Sequence, residues 1–240
     1  MSTIAAALTQ KAYVQPPLSG AVAGRVSRAW QDETGTRQPT DILAGLGVVT
    51  TFSRNSEIFA EDAPADHIFL VLSGAVRVCK LLGDGRRQIE TFCLPGDVFG
   101  WETAPRHRFS AEAVNECRVV RVKRSILFAR AADDAELAHA LWALTAGELS
   151  RTQNHLLVLG RKTAQERVAT FLLDMAARSA GAAGEVTLPM SRQDIADYLG
   201  LTIETVSRTL THLEDAAVIA LPSSRRVVLK DGGALRGLNS

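Results

Sequence analysis

The sequence predicts an α+β protein in which an N-terminal antiparallel β-roll, a long helix and a C-terminal winged helix-turn-helix follow one another. Short β-rich runs separated by turns occupy residues 48–122, and a proline-free helical pattern begins at Asp133. Two short helices joined by a glycine-containing turn follow near the C-terminus. Of the 240 residues, 46% are hydrophobic and 22% are charged, which excludes disordered and collagen-like chains.

The first two segments are an N-terminal arm at residues 1–40 and a β-roll, sensor-like domain at residues 41–130. The arm is weakly patterned, with loop-like stretches around one possible short helix at Gly24–Gln31. In the β-roll, Gly83-Asp84-Gly85 lies between two alternating runs and is typical of a hairpin turn. Many short strands favour an antiparallel barrel or jelly roll over a parallel sheet. The predicted strands are Ile68–Leu72, Ala75–Leu82, Arg87–Leu94 and Cys117–Val122.

A long dimerisation helix is predicted at residues 131–160, because acidic residues stand at its start and no proline interrupts it. Apolar and small residues recur along it at four- and three-residue steps, which is the register of a coiled-coil seam. The alternative is a helix that lies only on the core of its own domain. The length of the seam and its mostly polar flanks favour an interface between two copies of the chain. The residues expected there are Trp142, Leu149, Thr152, Leu156 and Leu159.

The next segment has the pattern of a helix-turn-helix. Ser191, with an acidic residue three positions later, predicts the N-terminal cap of a helix over Arg192–Leu199. Gly200 suits the left-handed conformation that ends such a helix, and Thr202 can cap a second helix running to about Asp215. The side chains expected to form the small core between the two helices are Ile195, Leu199, Leu201, Val206, Leu210 and Leu213.

A wing completes this C-terminal domain, which we place at residues 161–240. Two apolar runs, Ala217–Leu221 and Arg226–Leu229, flank a polar and basic tip. They predict a strand pair in which Arg225 and Arg226 lie against phosphates. A helix-turn-helix followed by a wing is a much stronger indication of DNA binding than either feature alone.

The exposed face of the second helix has the chemistry of base recognition. Glu204, Ser207, Arg208 and Thr211 follow i, i+3, i+4 and i+7 spacing and share one face. Arginine can bind guanine O6 and N7 with two hydrogen bonds, and glutamate can accept one from the cytosine amino group. The alternative is a solvated face on which Glu204 and Arg208 form a salt bridge one turn apart. The net charge does not decide between these two interpretations, because the chain has 27 basic and 26 acidic residues.

Nearly the whole chain resembles the CRP/FNR family of bacterial transcription regulators, and within it most resembles the FixK class. The similarity rests on Leu94–Gly100 in the β-roll, on the long helix and on the block Asp194–Leu210. The resemblance implies a cyclic-nucleotide-binding-like jelly roll and a recognition helix in which Glu204, Ser207 and Arg208 contact a TTGAT half-site. It also implies low-oxygen gene control without an oxygen cofactor of the protein's own.

The chain departs from the cyclic-nucleotide-binding members of that family. Their Gly-Glu-Leu motif is replaced here by Gly-Trp-Glu, which displaces Glu102 by one residue. Phe109 stands where the resemblance places the arginine that binds the cyclic phosphate. Arg106 or Arg108 could still reach a phosphate, so a ligand-gated regulator remains the alternative. We expect no cofactor.

Cysteine and histidine usage argues against metal and haem sites. The three cysteines, Cys79, Cys93 and Cys117, are odd in number and scattered, so they cannot supply a four-thiolate cluster. We expect them to be buried, inert thiols in a reducing cytoplasm. His67 and His107 are conceivable haem ligands, but surface positions are expected for both. Histidines never occur as the closely spaced pairs that a cupin-like β-barrel enzyme needs, and no catalytic motif is present, so no enzyme is predicted.

These observations together predict a cytoplasmic homodimer that binds double-stranded DNA of the type TTGAT-N4-ATCAA and regulates transcription. No apolar run is long enough to span a membrane. Activation through contact with RNA polymerase follows from the resemblance, with the Gly83–Gln88 loop and the β-roll surface as candidates; repression is equally compatible. The residues expected on the DNA backbone are Thr202, Thr211, Arg192, Arg225 and Arg226.

Overall fold

The computed structural model describes residues 39–178 and 184–238. The possible helix at Gly24–Gln31 lies outside the described residues. Helix α1 (Pro39–Leu46) leads into eight strands that form the β-roll. The strands are β1 (Val48–Phe52), β2 (Glu57–Phe59), β3 (His67–Ser73), β4 (Val76–Leu81), β5 (Arg87–Cys93), β6 (Val98–Phe99), β7 (Ser110–Ala113) and β8 (Cys117–Lys123). The four strands expected from the sequence correspond to β3, β4, β5 and β8 and are confirmed.

Two antiparallel four-stranded sheets build the roll, in the orders β1-β8-β3-β6 and β2-β7-β4-β5. Their facing sides bury a core that includes Phe69, Phe99 and Val119. The other side of the first sheet buries Ile68 and Leu70 against helices, so this sheet is covered on both faces. Strands with both faces covered are apolar at successive positions rather than alternately, which explains the continuous apolar run of β3.

Two helices follow the roll instead of one. Helix α2 (Arg124–Asp133) ends where Asp134 adopts an extended conformation, and helix α3 (Ala135–Arg161) begins directly after it. The Asp134 side chain accepts a hydrogen bond of 3.0 Å from the backbone N–H of Leu137, which caps α3. The long helix was predicted to begin at residue 131 and begins at Ala135, four residues later. The separate helix α2 was not predicted.

The C-terminal part is a winged helix-turn-helix. Its elements are α4 (Ala164–Arg178), β9 (Glu185–Thr187), α5 (Arg192–Leu199), α6 (Ile203–Asp215), β10 (Ile219–Ser223), β11 (Arg226–Leu229) and α7 (Gly232–Gly237). The three strands form one antiparallel sheet in the order β10-β11-β9. Of the six residues expected in the small core, five are buried and Leu201 is half-buried against them.

The second sheet of the roll packs against this domain. Cys79, Ile89 and Phe92 belong to the same apolar cluster as the core of the helix-turn-helix. The Phe92 ring lies 5.3 Å from that of Tyr198 on α5, centroid to centroid. The β-roll and the DNA-binding domain are thus in direct contact. In residues 39–178 and 184–238, no helix combines the length and apolarity that crossing a membrane requires.

Candidate nucleic-acid interface

Local hydrogen bonds determine the geometry of the helix-turn-helix. The Ser191 hydroxyl accepts from the Asp194 N–H at 3.1 Å, and the Asp194 carboxylate accepts from the Ser191 N–H at 2.9 Å. This reciprocal capping box begins α5. Gly200 ends α5 with φ of 61°, a left-handed conformation that glycine adopts without steric cost. The Thr202 hydroxyl accepts from the Thr205 N–H at 3.2 Å and begins α6. Both predicted helices are confirmed.

Helix α6 has one buried and one exposed face. Val206, Leu210 and Leu213 are buried in the domain core, whereas the side chains of the opposite face, Glu204, Ser207, Arg208 and Thr211, are exposed. In the described part of the chain, no ion pair joins Glu204 to Arg208. The salt bridge required by the alternative interpretation is therefore not formed, and the carboxylate and the guanidinium are both available to a ligand.

The predicted phosphate-contacting arginines differ in their surroundings. Arg225 is exposed at the wing tip, and no ion pair involves it among the residues that the structure describes. Arg226 is also exposed but forms an ion pair with Glu185 on β9. Arg192 is half-buried at the start of α5, and its Nη1 lacks a hydrogen-bond partner. Burial lowers the pKa of Arg192. Of the three, Arg225 has the most accessible charge.

Helix α3 exposes large apolar side chains along the predicted seam. Trp142, Leu149 and Leu156 are 71%, 58% and 64% exposed at intervals of seven residues. Thr152 is half-buried, and so is Leu159, whose side chain lies beside the turn at Gly200. The same helix buries other side chains against its own chain: Leu137, Leu141 and Val158. The exposed Leu157 was missed by the sequence analysis because it lies beside the seam rather than on it.

A small pocket in the β-roll is lined by residues that the resemblance associates with cyclic-nucleotide binding, among them Gly100, Glu102 and Phe109. Its lining includes Glu90, Glu102 and Glu148 together with Arg108 and Phe109. The Arg108 guanidinium donates to Glu102 at 3.1 Å and is therefore already paired. Burial raises the pKa of Glu90, and the nearby Glu148 adds to the effect. Three carboxylates and one paired arginine do not fit a cyclic phosphate, which carries a negative charge.

His107 is not at the surface as the sequence analysis expected. It is 4% exposed and stacks on Phe59 with 3.7 Å between ring centroids. Its Nδ1 has no hydrogen-bond partner, and burial lowers its pKa. The ring of Phe59, whose contact with His107 cannot be recognised from sequence spacing, packs against the imidazole. His67 is half-buried.

The three cysteines are free and buried, as predicted. Burial raises the pKa of Cys79 to about 11 and also raises those of Cys93 and Cys117. Thiols with raised pKa values remain protonated at neutral pH and react slowly. In the described ranges, no group of three or more His, Cys, Asp or Glu side chains is arranged to hold a metal ion.

Comparison with known proteins agrees with this geometry. Residues 166–238 match the Crp-like helix-turn-helix domain, and residues 49–134 match the cyclic nucleotide-binding domain. The nitrogen fixation regulation protein FixK of Azorhizobium caulinodans is 62% identical over 96% of this chain and 94% of its own. The chain belongs to the CRP/FNR family of transcription regulators.

Other members of the CRP/FNR family are also similar. The transcriptional activatory protein AadR of Rhodopseudomonas palustris is 42% identical over 71% of this chain and 73% of its own. The structure of FixK2 from Bradyrhizobium japonicum superposes with a TM-score of 0.78 at 50% identity, covering 81% of this chain and 98% of that chain. This chain is accordingly a FixK-like, DNA-binding transcription regulator.

Sequence analysis missed the contact between the roll and α5. The Gly83–Gln88 loop was a candidate surface for RNA polymerase; its last two residues lie in β5, within the predicted strand Arg87–Leu94, and face the DNA-binding domain. Arg87 binds Asp197, and the Gln88 side-chain amide donates to the Tyr198 carbonyl at 3.4 Å. These partners are 110 residues apart in sequence, so no local pattern indicates that they meet.

Proposed function

We propose that this regulator binds, as a homodimer, a palindrome of the type TTGAT-N4-ATCAA and activates transcription in low-oxygen gene control. One observation carries the proposal: the first two turns of α6 expose Glu204, Ser207 and Arg208 opposite a packed core. A helix held in this way can enter the major groove with its N-terminal residues at the base edges. The names of the FixK relatives support the assignment to regulation of nitrogen fixation and related genes.

Glu204, Ser207 and Arg208 match hydrogen-bonding groups of the half-site. Arg208 donates two hydrogen bonds to the guanine of TTGAT, and Glu204 accepts from the amino group of the opposite cytosine or a neighbouring base. Ser207 contacts the adjacent thymine or its phosphate. The phosphate contacts come from Thr202, Thr211, Arg192, Arg225 and Arg226, and they position the domain without discriminating sequence.

The two copies join along the seam of α3. Trp142, Leu149 and Leu156 would be covered by the same residues of a second chain, which removes a row of large apolar side chains from water. A two-fold axis along this helix presents two copies of α6 to successive major grooves, about one helical turn apart. The target must therefore be a palindrome.

Binding is expected without a cyclic nucleotide, because the carboxylate-lined pocket of the roll opposes a cyclic phosphate. The regulator would act in the bacterial cytoplasm, where its DNA target lies. Activation requires contact with RNA polymerase, for which the exposed turn at residues 82–86 remains available.

A gel-shift titration tests the proposal. Aerobically purified protein is titrated on a TTGAT-N4-ATCAA duplex and on the same duplex with the guanine changed in both half-sites, with and without cAMP. We expect tight binding to the first duplex alone, at equal affinity with and without the nucleotide. Equal affinity for both duplexes would overturn the proposed target, and binding that requires cAMP would overturn the ligand-free mechanism.

A further inference from the structure

Four charged side chains join the second sheet of the β-roll to α5. Arg87 on β5 donates to Asp194 at 2.6 Å and to Asp197 at 2.8 Å. Arg77 on β4 donates to the same oxygen of Asp194 at 3.3 Å. We call these four residues the interdomain clamp.

The clamp is shielded from water. Arg77 and Asp194 are 8% and 4% exposed as whole residues, and Arg87 and Asp197 are half-buried. Arg77 also forms an ion pair with Glu112 on β7, in which the carboxylate oxygen lies 2.6 Å from the Arg77 guanidinium. Removing one partner of a buried charge pair leaves the other charge buried and unpaired, which is unfavourable. Loss of either arginine should therefore disturb the contact between the two domains more than loss of a surface ion pair would.

Asp194 connects the clamp to the DNA-binding motif itself. One of its oxygens accepts from Arg77 and Arg87, and the other completes the capping box at the start of α5. Burial alone raises the pKa of Asp194, but hydrogen bonds from Ser191 and the two arginine charges together bring it below its ordinary value. The first turn of α5 is thus held from the roll side and from its own helix by one ionised carboxylate.

We infer that Arg77 and Arg87 are positioning residues for DNA recognition, which act on the base-contacting helix without touching DNA. They hold α5, and α6 packs on α5 through a shared apolar core, so the clamp determines where Glu204, Ser207 and Arg208 point. The inference rests on the proposed function. In the clamped arrangement those three side chains are exposed, so the clamp does not cover the base-contacting face.

A second polar contact also joins the β-roll to the DNA-binding domain. Arg178 at the end of α4 donates to Asp97 and to the Phe92 carbonyl, both at 2.6 Å. Without the clamp, we expect α5 and α6 to keep their apolar contact with the roll, which includes Phe92 and Tyr198, but to hold their orientation less strictly.

The test compares two neighbouring arginines. Arg87→Ala removes the clamp cation, whereas Arg86→Ala removes an equal charge whose partner, Asp84, lies in the same hairpin turn. We expect Arg87→Ala to bind the palindrome about tenfold more weakly, because alignment of the two half-site contacts is lost. Arg86→Ala should bind like the wild type. Non-specific DNA binding and dimerisation should be unchanged in both variants.

Spacer preference separates positioning from a merely stabilising role. One base pair added or removed between the half-sites rotates one of them by about 35° relative to the other. The wild type should prefer the four-base-pair spacer, and Arg87→Ala should bind three-, four- and five-base-pair spacers with more similar affinities. A purely structural role would lower the amount of active protein but leave this preference intact.

Conservative variants keep the inference testable if Arg87→Ala does not fold. Asp197→Asn preserves shape and leaves the capping carboxylate of Asp194 in place, and it should weaken the spacer preference in the same direction. Arg87→Lys retains the charge and should restore much of the preference. If the wild type shows a spacer preference that neither Arg87→Ala nor Asp197→Asn reduces, the inference is wrong. A wild type without selectivity for the palindrome would instead overturn the proposed function.

Discussion

The guanidinium of Arg208 is exposed on α6 and has no ion-pair partner on Glu204 in the described residues. Replacing Arg208 by alanine should therefore weaken binding by about 1–3 kcal/mol per half-site and relax the preference for guanine. The reason is the loss of two hydrogen bonds to O6 and N7. Competition binding against single-base variants of the half-site measures both effects.

The wing provides the control for this prediction. Arg225→Ala should weaken binding to all sequences alike and flatten the salt dependence, because phosphate contacts release counterions without identifying bases. Arg226→Ala should have a smaller effect, since Arg226 is already paired with Glu185. An unchanged base preference in Arg208→Ala would contradict the assignment.

His155 predicts a pH dependence of stability. It stacks on Tyr198 at 4.0 Å between ring centroids, and its Nε2 is buried without a hydrogen-bond partner. Burial lowers the pKa of His155 from 6.5, and the charge of Arg167 lowers it further. A backbone hydrogen bond with Tyr198 and the charge of Asp174 raise this pKa but do not outweigh burial. As the pH falls, His155 is protonated in the unfolded chain at a higher pH than in the folded chain. The stability of the folded state therefore decreases as the pH falls below 6.5.

Comparison of melting temperatures tests this dependence. Between about pH 7.5 and about pH 5.5, the wild type should lose more stability than His155→Gln, whose amide does not titrate. His67 and His107 also have lowered pKa values but are present in both proteins, so their contributions cancel in the difference. Equal losses in the two proteins would show that His155 does not contribute.

At the scale of elements, the α3 seam predicts a specific pattern of dimer loss. Leu149→Asp or Leu156→Asp would place two like charges in a dry contact and cost several kcal/mol for the pair. We expect both variants to be monomeric in light scattering and to lose specific DNA binding. Asn154→Asp adds the same charge on the other side of the helix and should remain dimeric. Two dimeric leucine variants would show that the seam lies elsewhere.

Two glycines in different backbone conformations, Gly200 in the turn between α5 and α6 and Gly147 inside α3, should respond oppositely to substitution by alanine. Gly200→Ala should destabilise the protein by about 1–2 kcal/mol, because an L-residue is strained in the left-handed conformation. A Cβ there would meet Arg167 and Leu159 only at 3.5 Å, so steric clash adds little. Gly147 lies inside α3 with open space around it, and Gly147→Ala should stabilise by about 0.5–1 kcal/mol. Chemical denaturation measures both; the same sign for both variants would contradict the backbone argument.

At the scale of the whole molecule, three buried thiols and a carboxylate-lined pocket predict constitutive binding. DNA binding should persist in air, after treatment with a chelator and without nucleotide. Mild peroxide should leave it intact, because no cysteine follows Cys117 and the thiols have raised pKa values. Gel shifts before and after each treatment measure this. A peroxide-dependent loss reversed by dithiothreitol would implicate the β-roll thiols or an intermolecular disulfide.

The sequence by itself determined the elements whose signals are local. The capping box at Ser191, the left-handed Gly200 and the cap at Thr202 lie within a few residues of the helix ends they define, so the bounds of α5 were predicted correctly and those of α6 closely. Helical period alone placed Glu204, Ser207 and Arg208 on one exposed face. The three- and four-residue steps along α3 predicted a seam, of which Trp142, Leu149 and Leu156 are exposed while Thr152 and Leu159 are half-buried.

Only the tertiary structure decided what depends on distant residues. It placed His107 in the interior against Phe59, paired Arg226 with Glu185 and half-buried Arg192. It also brought Arg87 to Asp197, although 110 residues separate them in sequence. An ion pair or a buried ring depends on which surfaces the folded chain brings together. A single sequence contains no periodic pattern that indicates such long-range contacts.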